Sequence, residues 1–563
     1  MTDPLVSSRM KRVRQKGTRP ELVVRELLDD LGARYQTNRA DLPGTPDIVD
    51  QDSSFAIFVN GCFWHIHSAC GRGTIPKSNS EEWTVKFKAN RLRDQMKIDA
   101  LVELGFEVLV VWECELDQPE VVRERLRQFW FLRGDAQAPV GPEALDLFES
   151  KTAMDPSESH SFSPKLGRFT RHVRLREGRS VTTNIPAEDL STSADRGAGF
   201  DAAWLRQPRR PKSRRSGELL RIADLFSGCG GMSIGLLEAA RAVGRPAEIA
   251  FAADFDTEAL EAYQLNLSPH HVEAGPIEAV LNGSFGSDPT VEEEELMSQV
   301  GKVEVLLGGP PCQGHSNLNN HTRRDDPKNE LYERMARFAE LFEPAHVVIE
   351  NVPGVLHDKG GVFDRTRSQL EELGYDVDFG IVKGERIGVP QTRHRVFLVA
   401  SRTVAVSLDD WLGMHAVPER PFDWACHDLS LSSRNGLMSV PTTSKQITLD
   451  RIDYLFNEEV FELPNDERPD CHRLKKHSYK AVYGRIHGTR PAPTITTGFT
   501  VMGQGRFVHP YQRRTLNPLE GARLQFFPDW YDFGDRPRGA YLRLIGNAVP
   551  PKMAYVLGLE LLR

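Results

Sequence analysis

The chain has 563 residues, 39% of them hydrophobic, and a net charge of −8, so it is several domain lengths long and is expected to hold two folded units plus connecting sequence. It contains no run of about 18 apolar residues and no signal-type start, which points to a soluble, cytoplasmic protein with no membrane partner. Seven cysteines spread over such a length do not read as a disulfide framework, and the negative balance argues against coating nucleic acid by bulk charge, while leaving a local basic cleft open.

"TRPELVVRELLDDL" (18–31) predicts a helix with Thr18 as N-cap and Glu21 three positions on. "PGTPD" (43–47) places Asp47 at the start of a strand, where a carboxylate can hold Mg2+ against a phosphate or merely shape a turn. "SFAIFVN" (54–60) and "FEVLVVWECEL" (106–116) are β-rich, with a long charged amphipathic helix (81–105) between them. In "GCFWHIHSACGRG" (61–73), Cys62, His67 and Cys70 fall within nine residues, and Cys114 sits on the later strand. This set can close tetrahedrally around zinc; the alternative is buried thiols with a surface histidine. The first unit is thus mixed α/β and ends near Arg133. Residues 134–217, rich in Pro, Ser, Gly and charge and closing on "RQPRRPKSRRSG", are expected to form a partly disordered linker.

From 218 onward, strands and helices alternate as in a parallel sheet wrapped by helices. "DLFSGCGG" (224–231) follows a strand and opens a helix, so its glycines let the backbone approach a ligand, and Asp254 in "ADFD" ends the next strand, where a carboxylate can bind ribose hydroxyls. Two ordinary turns would explain both. In "GGPPCQGHS" (308–316) two prolines stiffen the backbone ahead of Cys312, a presentation suited to a nucleophile. Glu350 ends a further strand, and "QTRHR" (391–395) adds Gln391, Arg393 and Arg395; strand ends of this kind can converge on one crevice. "EEEE" (292–295) reads as a solvated helix end, and the irregular block 402–490 as a smaller inserted domain.

The ordered set "DLFSGCGG", "GPPCQGHS", "IENVPG", "QTRHRVF", "RPAPTITT" and "LIGNAVPP" resembles the C5-cytosine DNA methyltransferases over nearly all of 218–563. The resemblance implies a Rossmann-like catalytic domain (218–401 and 491–563), target recognition by 402–490, S-adenosyl-L-methionine as methyl donor, and a flipped cytosine in double-stranded DNA as substrate. Cys312 would add to C6, Glu350 would bind N3, Arg395 would hold O2, and Arg393 would join the catalytic group. Phe226, Gly228, Gly230, Gly231, Asp254 and Asn547 match the cofactor positions. One departure is "AGPIEA" (274–279), where Pro276 stands in place of a family aspartate beside the adenine.

In the front unit, "RMKRVRQKGTRPE", "PGTPD", "GCFWHIH" and "VWECEL" together resemble the very short patch repair (Vsr-type) endonucleases over about 1–133. That resemblance implies a restriction-endonuclease-like fold, Asp47 as ligand of a catalytic Mg2+, His65 as general base and Glu21 as a functional glutamate, a role that competes with helix capping. It further implies structural zinc on Cys62, His67, Cys70 and Cys114, and Met10, Phe63 and Trp64 as a wedge beside a mismatched pair. Val59 and Asn60 depart from the family, which places a hydroxyl or histidine near the metal, and neutral Asn cannot act as a base.

Deamination of 5-methylcytosine leaves T:G mismatches, so a fused mismatch nicking enzyme would remove the methyltransferase's own mutagenic product. The expected setting is cytoplasmic and nucleoid-associated, with mismatch-repair proteins as further partners. Two other readings make the front unit a restriction nuclease of a combined restriction-modification protein, or an inactive DNA-docking module.

Overall fold

The structure is a computed structural model that describes residues 17–50, 55–65, 67, 70, 72, 80–104, 106–131, 157–187, 195–212, 217–311, 331–357, 361–430, 436–473 and 482–563. The chain divides at residue 150 into two compact units. Among the described residues, no helix is long and apolar enough to cross a membrane.

In the front unit a helix, Arg19–Asp30, starts as its sequence predicts. Thr18 caps it, and the Glu21 side chain returns to the cap backbone, which satisfies amide donors left over at the helix start. Four strands follow: β1 (Tyr35–Thr37), β2 (Ile48–Asp50), β3 (Phe55–Asn60) and β4 (Glu107–Trp112). They form one sheet in the order β1-β2-β3-β4, antiparallel except for the parallel pair β3–β4. The helix Ser80–Glu103 supplies the crossover that a parallel pair requires. Apolar side chains on the two faces of the sheet enter different clusters. Val24, Leu28, Ile57 and Val111 lie in one, and Ala56, Cys62, Leu101 and Val110 in the other. The strand expected over 106–116 stops at Trp112, because Trp112 N–H donates to Glu115 Oε2 (2.7 Å) and the chain turns into a short 3-10 helix, Glu113–Asp117. Cys114 therefore sits on a tight turn rather than on a strand.

The expected linker contains an ordered module. Residues 157–187 hold β5 (Glu158–Ser163), β6 (Arg168–Arg174) and β7 (Ser180–Pro186), an antiparallel sheet, and the helix Arg196–Leu205 follows. Polar-looking strands such as "RFTRHVR" were masked by composition, yet they alternate strictly. Phe169, Arg171 and Val173 are buried, while Arg168, His172 and Arg174 are exposed. The inner face joins the large core, with Phe169, Val173, Ile185, Phe200 and Trp204 among its members. Arg171, 1% exposed, pairs with Glu238 at 2.9 Å and lies over the Phe200 and Tyr555 rings; Lys552–Asp201 (2.8 Å) and Ser157–Glu560 (2.8 Å) add further ties.

The methyltransferase-like region is built on β8 (Leu220–Leu225), β9 (Ala247–Asp254), β10 (His271–Ala274), β11 (Val305–Gly308), β12 (His346–Asn351), β13 (Asp376–Lys383), β14 (Gln391–Thr392) and β15 (His394–Ser401). Seven of these form one sheet in the order β10-β9-β8-β11-β12-β15-β13, and β14 pairs separately with Ala492–Pro493. The first five are mutually parallel, and β15 runs antiparallel to both its neighbours. The chain winds outward from β8 to β10 and then resumes at β11 on the other side. The crevice beyond the carboxyl ends of β8 and β11 is thus the switch point at which such sheets bind ligands.

The block 402–490 is not one separate domain. Trp411, Phe422, Ala425 and Cys426 belong to the large core. A small core of its own, with Ile452, Leu455, Leu463, Val482, Met502 and Val508, lies further along and runs past 490. "EEEE" does begin a helix, Val291–Val300, but Glu293 is fully buried: it closes the capping box with Thr290 and pairs with Arg337 at 2.6 Å.

Candidate functional site

The β8 end turns through Phe226, a non-glycine residue at φ 58°, then Gly228 (φ 51°) and Gly230 (φ 85°) before the helix Gly231–Val243. A Cβ on Gly231 would lie 2.1 Å from the Val549 carbonyl oxygen, so only glycine lets the C-terminal segment approach here. Asn547, two residues before Val549, is exposed. Asp254 ends β9 and ties the loop down: Oδ2 accepts Gly228 N–H (2.7 Å) and Oδ1 accepts Asp256 N–H (2.8 Å). Burial pushes its carboxyl above the usual range, against the pull of those backbone donors.

Two further residues here escaped sequence reasoning. Phe255, directly after Asp254, is 66% exposed, an aromatic face offered to solvent beside a carboxylate. Asp224 is fully buried, accepts from Ser233 Oγ at 2.6 Å, and is pushed up to about 7 by burial, with Ser233 lowering it and the charge of Asp254 raising it.

On the other side of the switch point, β11 runs into Gly309 and Pro310. Asn351 Nδ2 donates to the Pro310 carbonyl (3.3 Å), and a Cβ on Gly309 would stand 3.5 Å from Glu350 Oε2. Glu350 pairs with Arg395 Nε at 2.9 Å. Burial raises the Glu350 carboxyl, and the guanidinium groups of Arg395 and Arg393 only partly offset it. Cys312 itself lies outside the described residues.

Arg393 is held by backbone carbonyls, and its charge acts on Glu350. It is 2% exposed and its guanidinium donates to the carbonyls of Ile495 (2.9 Å) and Gly546 (3.4 Å), which binds the β15 approach to the C-terminal segments. Gln391 likewise donates to the Leu524 carbonyl at 2.7 Å. These are positioning contacts, and burial lowers the Arg393 pKa well below its ordinary value.

In the front unit, Asp47 immediately precedes β2, and its Oδ2 accepts Val59 N–H at 2.8 Å. Burial raises its carboxyl to about 6, Val59 lowers it, and the charge of Glu21 raises it again, which puts the two acids in one neighbourhood. The Glu21 oxygens are occupied by Gly17 N–H (2.8 Å), Thr18 Oγ1 (2.8 Å) and Arg25 (3.4 Å), so the capping role is present whatever else Glu21 does. Val59, noted for lacking a polar side chain, serves through its amide. His65 Nδ1 bonds Asp94 Oδ2, whose other oxygen accepts Lys97 Nζ (2.9 Å). Asp94 is held below the usual carboxylate range by His65 and Lys97 although burial alone would raise it. Asp94 had no sequence signal beyond one more charge on a charged helix.

The ligand atoms of Cys62, His67, Cys70 and Cys114 all lie within 4.8 Å of one another. His67 Nδ1 stands 3.0 Å from Cys114 Sγ and 3.8 Å from Cys62 Sγ. Tetrahedral zinc with bonds of about 2.0–2.3 Å sets its ligands roughly 3.5–3.8 Å apart, so the set fits. Burial raises the Cys62 and Cys114 thiols, a cost that a bound dication would remove, and burial lowers His67 toward the neutral form a ligand needs. His67 is held flat against Trp112, with ring centroids 4.3 Å apart. Phe63 is less free than a wedge would be: its ring makes edge contacts with Trp64 (5.2 Å), Trp83 (6.2 Å) and Phe87 (5.5 Å). Trp64 is half-buried, and Met10 lies outside the described residues.

Comparison with known proteins matches the two units separately. The family profile for C-5 cytosine-specific DNA methylase covers residues 220–563, and that for DNA mismatch endonuclease Vsr covers 2–71. A type II methyltransferase of Bacillus subtilis, M1.BsuMI, is 46% identical over 70% of this chain and 93% of its own length. A type II nicking enzyme of Xanthomonas oryzae, V.XorIIP, is 49% identical over 23% of this chain and 96% of its own. Among solved structures, a methyltransferase of Entamoeba histolytica covers 61% of this chain and 98% of its own at 16% identity and a TM-score of 0.44. The chain therefore belongs to the C-5 cytosine-specific DNA methylase family, with a DNA mismatch endonuclease of the Vsr type fused ahead of the methylase.

Proposed function

We propose that the C-terminal unit transfers a methyl group from S-adenosyl-L-methionine to C5 of a cytosine rotated out of duplex DNA, through a covalent adduct of Cys312. The observation that carries this reading is the Glu350–Arg395 pair, 2.9 Å apart, beside the Gly309–Pro310 turn that leads into Cys312. A buried acid with a raised pKa can protonate or hydrogen-bond N3 as negative charge gathers there, while Arg395 holds O2, and the thiolate at C6 makes C5 nucleophilic. After transfer a base removes the C5 proton and Cys312 leaves. The cofactor supplies the electrophilic methyl group. Asp254 suits its ribose, the turn at Phe226, Gly228, Gly230 and Gly231 admits its backbone-facing edge, Asn547 adds a polar contact, and Phe255 suits stacking on the purine where Pro276 replaces an aspartate.

The front unit, on the same reading, nicks T:G mismatches left by deamination of the product. Its four-stranded mixed sheet is compatible with a restriction-endonuclease-like scaffold. Asp47, with the charge of Glu21 acting on it, offers oxygen donors of the kind Mg2+ prefers, and His65, bonded through Nδ1 to Asp94, would take a proton from water. Zinc on the Cys3His set would hold the loop that carries His65. Trp64 and Met10 are left as the wedge, with Phe63 as its anchor. A nucleoid-bound enzyme of this kind would meet mismatch-repair proteins at its nicks.

Bisulfite sequencing of DNA from expressing cells defines the methylated site, and Cys312→Ser is expected to abolish methylation; full methyl transfer by that variant would refute the adduct. With Mg2+, a nick confined to T:G in that site supports repair, double-strand cuts of unmodified DNA support restriction, and no cleavage supports a docking module.

A further inference from the structure

The ordered module at 157–212 is used by neither reaction. The stretch 164–215 carries thirteen Lys or Arg against five Asp or Glu, a surplus of eight in a chain whose net charge is −8. Part of that charge is internal, since Arg171 is buried against Glu238. Arg176 and Arg206 are likewise engaged, with the Arg563 carbonyl (2.9 Å) and with Asp428 (2.7 Å), whereas Lys165, Arg168, Arg174 and Arg179 lie on one exposed surface. The β5–β7 sheet turns its inner face to the core, and its outer face presents Ser159 and Ser161 from β5, Arg168, Thr170, His172 and Arg174 from β6, and Ser180, Thr182 and Asn184 from β7.

Strand register lines these residues up in rows. Ser161, Thr170 and Asn184 are cross-strand neighbours, as are Ser159, His172 and Thr182. Thr170 Oγ1 donates to Asn184 Oδ1 at 2.8 Å, which fixes the middle of the face. No acidic and no large apolar side chain projects from the outer positions of β6 or β7; the adjoining turns add Lys165 and Arg179, the latter paired with Glu177 at 2.8 Å, and one exposed apolar residue, Leu166. Beyond the helix, Arg209, Arg210 and Lys212 are also exposed.

Protein interfaces have apolar and aromatic centres, which this face lacks. Arginine, lysine, serine, threonine and asparagine are the side chains that contact phosphate and sugar in protein–DNA complexes. We propose that the outer face of the β5–β7 sheet and its adjoining turns bind the sugar-phosphate backbone of duplex DNA, without reading sequence. The residues of this surface lie outside 402–490, and it would hold DNA that carries no target cytosine. It rests on the reading of the C-terminal unit as acting on DNA.

The test uses the full chain and a poly(dA)·poly(dT) duplex, which offers neither a cytosine nor a mismatch. Binding is followed by anisotropy over a range of salt for the wild type and for Lys165→Gln/Arg168→Gln/Arg174→Gln/Arg179→Gln. Each lost phosphate contact lowers the slope of log affinity against log salt by about 0.9, so the fourfold variant is expected to lose about 2 to 4 units of slope. Binding of S-adenosyl-L-methionine should be unchanged, and Arg168→Lys/Arg174→Lys should keep the wild-type slope. An unchanged slope with intact cofactor binding overturns the proposal. Should the fourfold variant melt early, Lys165→Gln/Arg179→Gln, confined to the turns, carries the test with about half the effect, and no effect there counts against it equally. Failure of the wild type to bind cytosine-containing duplexes would instead refute the DNA-methyltransferase reading.

Discussion

The two candidate centres are held in place by different means. In the methylase region the site is made by backbone: strand ends of a seven-stranded sheet, a turn through three positive-φ residues, and a glycine packed against a carbonyl. In the front unit it is made by side chains gripping one another, Cys62, His67, Cys70 and Cys114 in one knot and His65 with Asp94 and Lys97 in another. Among the described residues the front sheet has four strands, two of them three residues long, and two modest apolar clusters. A small core gains from a staple, whereas a large one sets its loops by packing together with single ties such as Asp254 to Gly228.

Metal removal should separate the two units most sharply. Structural zinc sites contribute about 10–16 kcal/mol of apparent binding energy, which becomes folding energy. Chelation, or Cys114→Ala, is expected to abolish the front unit's own calorimetric transition and any nicking, while cofactor binding and methylation persist. Retention of the front transition after complete zinc removal would mean that the cysteine knot is only packing.

The crevice has the opposite weakness, in that single groups can be lost without unfolding it. Glu350→Gln keeps a polar group beside Arg395 but cannot deliver a proton. We expect kcat to fall about 10²- to 10⁴-fold, with the affinity for S-adenosyl-L-methionine unaltered. A pH–rate profile checks the assignment: the wild-type rate should decline as rising pH ionises the raised Glu350 carboxyl, and the variant should lose that limb. An unchanged rate would remove Glu350 from the chemistry.

What the sequence made legible follows the same division. Motifs fixed by backbone need particular residues at fixed offsets, so "DLFSGCGG", "IENVPG" and "QTRHR" could be placed at strand ends before any coordinates. Asp94 and Phe255 were invisible because their use depends on a fold-level approach rather than on local spacing. A motif shows that the Arg393 guanidinium matters without showing that it is held by the Ile495 and Gly546 carbonyls. The module at 157–212 was missed because its inward positions include Arg171 and Thr183, which composition counts as surface. Burying Arg171 is tolerable only with Glu238 and Tyr555 around it. Arg171→Ala would leave Glu238 with Arg241 alone (2.6 Å), so the loss is expected at the lower end of the about 3–5 kcal/mol that removal of one member of a buried pair costs. A drop of that size in the denaturant stability of the methylase unit is expected, with the front transition unmoved; a change below about 1 kcal/mol would make the module a loosely attached appendage after all.

The smallest effect concerns the carboxylate beneath the turn from Phe226 to Gly231. Asp224 is fully buried, bonded to Ser233 and, more distantly, to Tyr263 at 3.4 Å, and burial lifts it to about 7. An unfolded aspartate titrates near ~3.9, so the folded chain keeps a proton that the unfolded chain has lost. The stability associated with that proton is fully present below the unfolded value and disappears as pH rises through about 7. Asp224→Asn cannot ionise and holds its stability across the same range. The melting temperature of the methylase unit should therefore diverge between the two proteins from pH ~4 to about 7, the variant being favoured at the alkaline end by on the order of 1–4 kcal/mol. The front unit, which does not contain Asp224, should show no difference. Parallel curves for wild type and variant would mean that Asp224 ionises alike in the folded and unfolded chain and that burial does not raise its pKa.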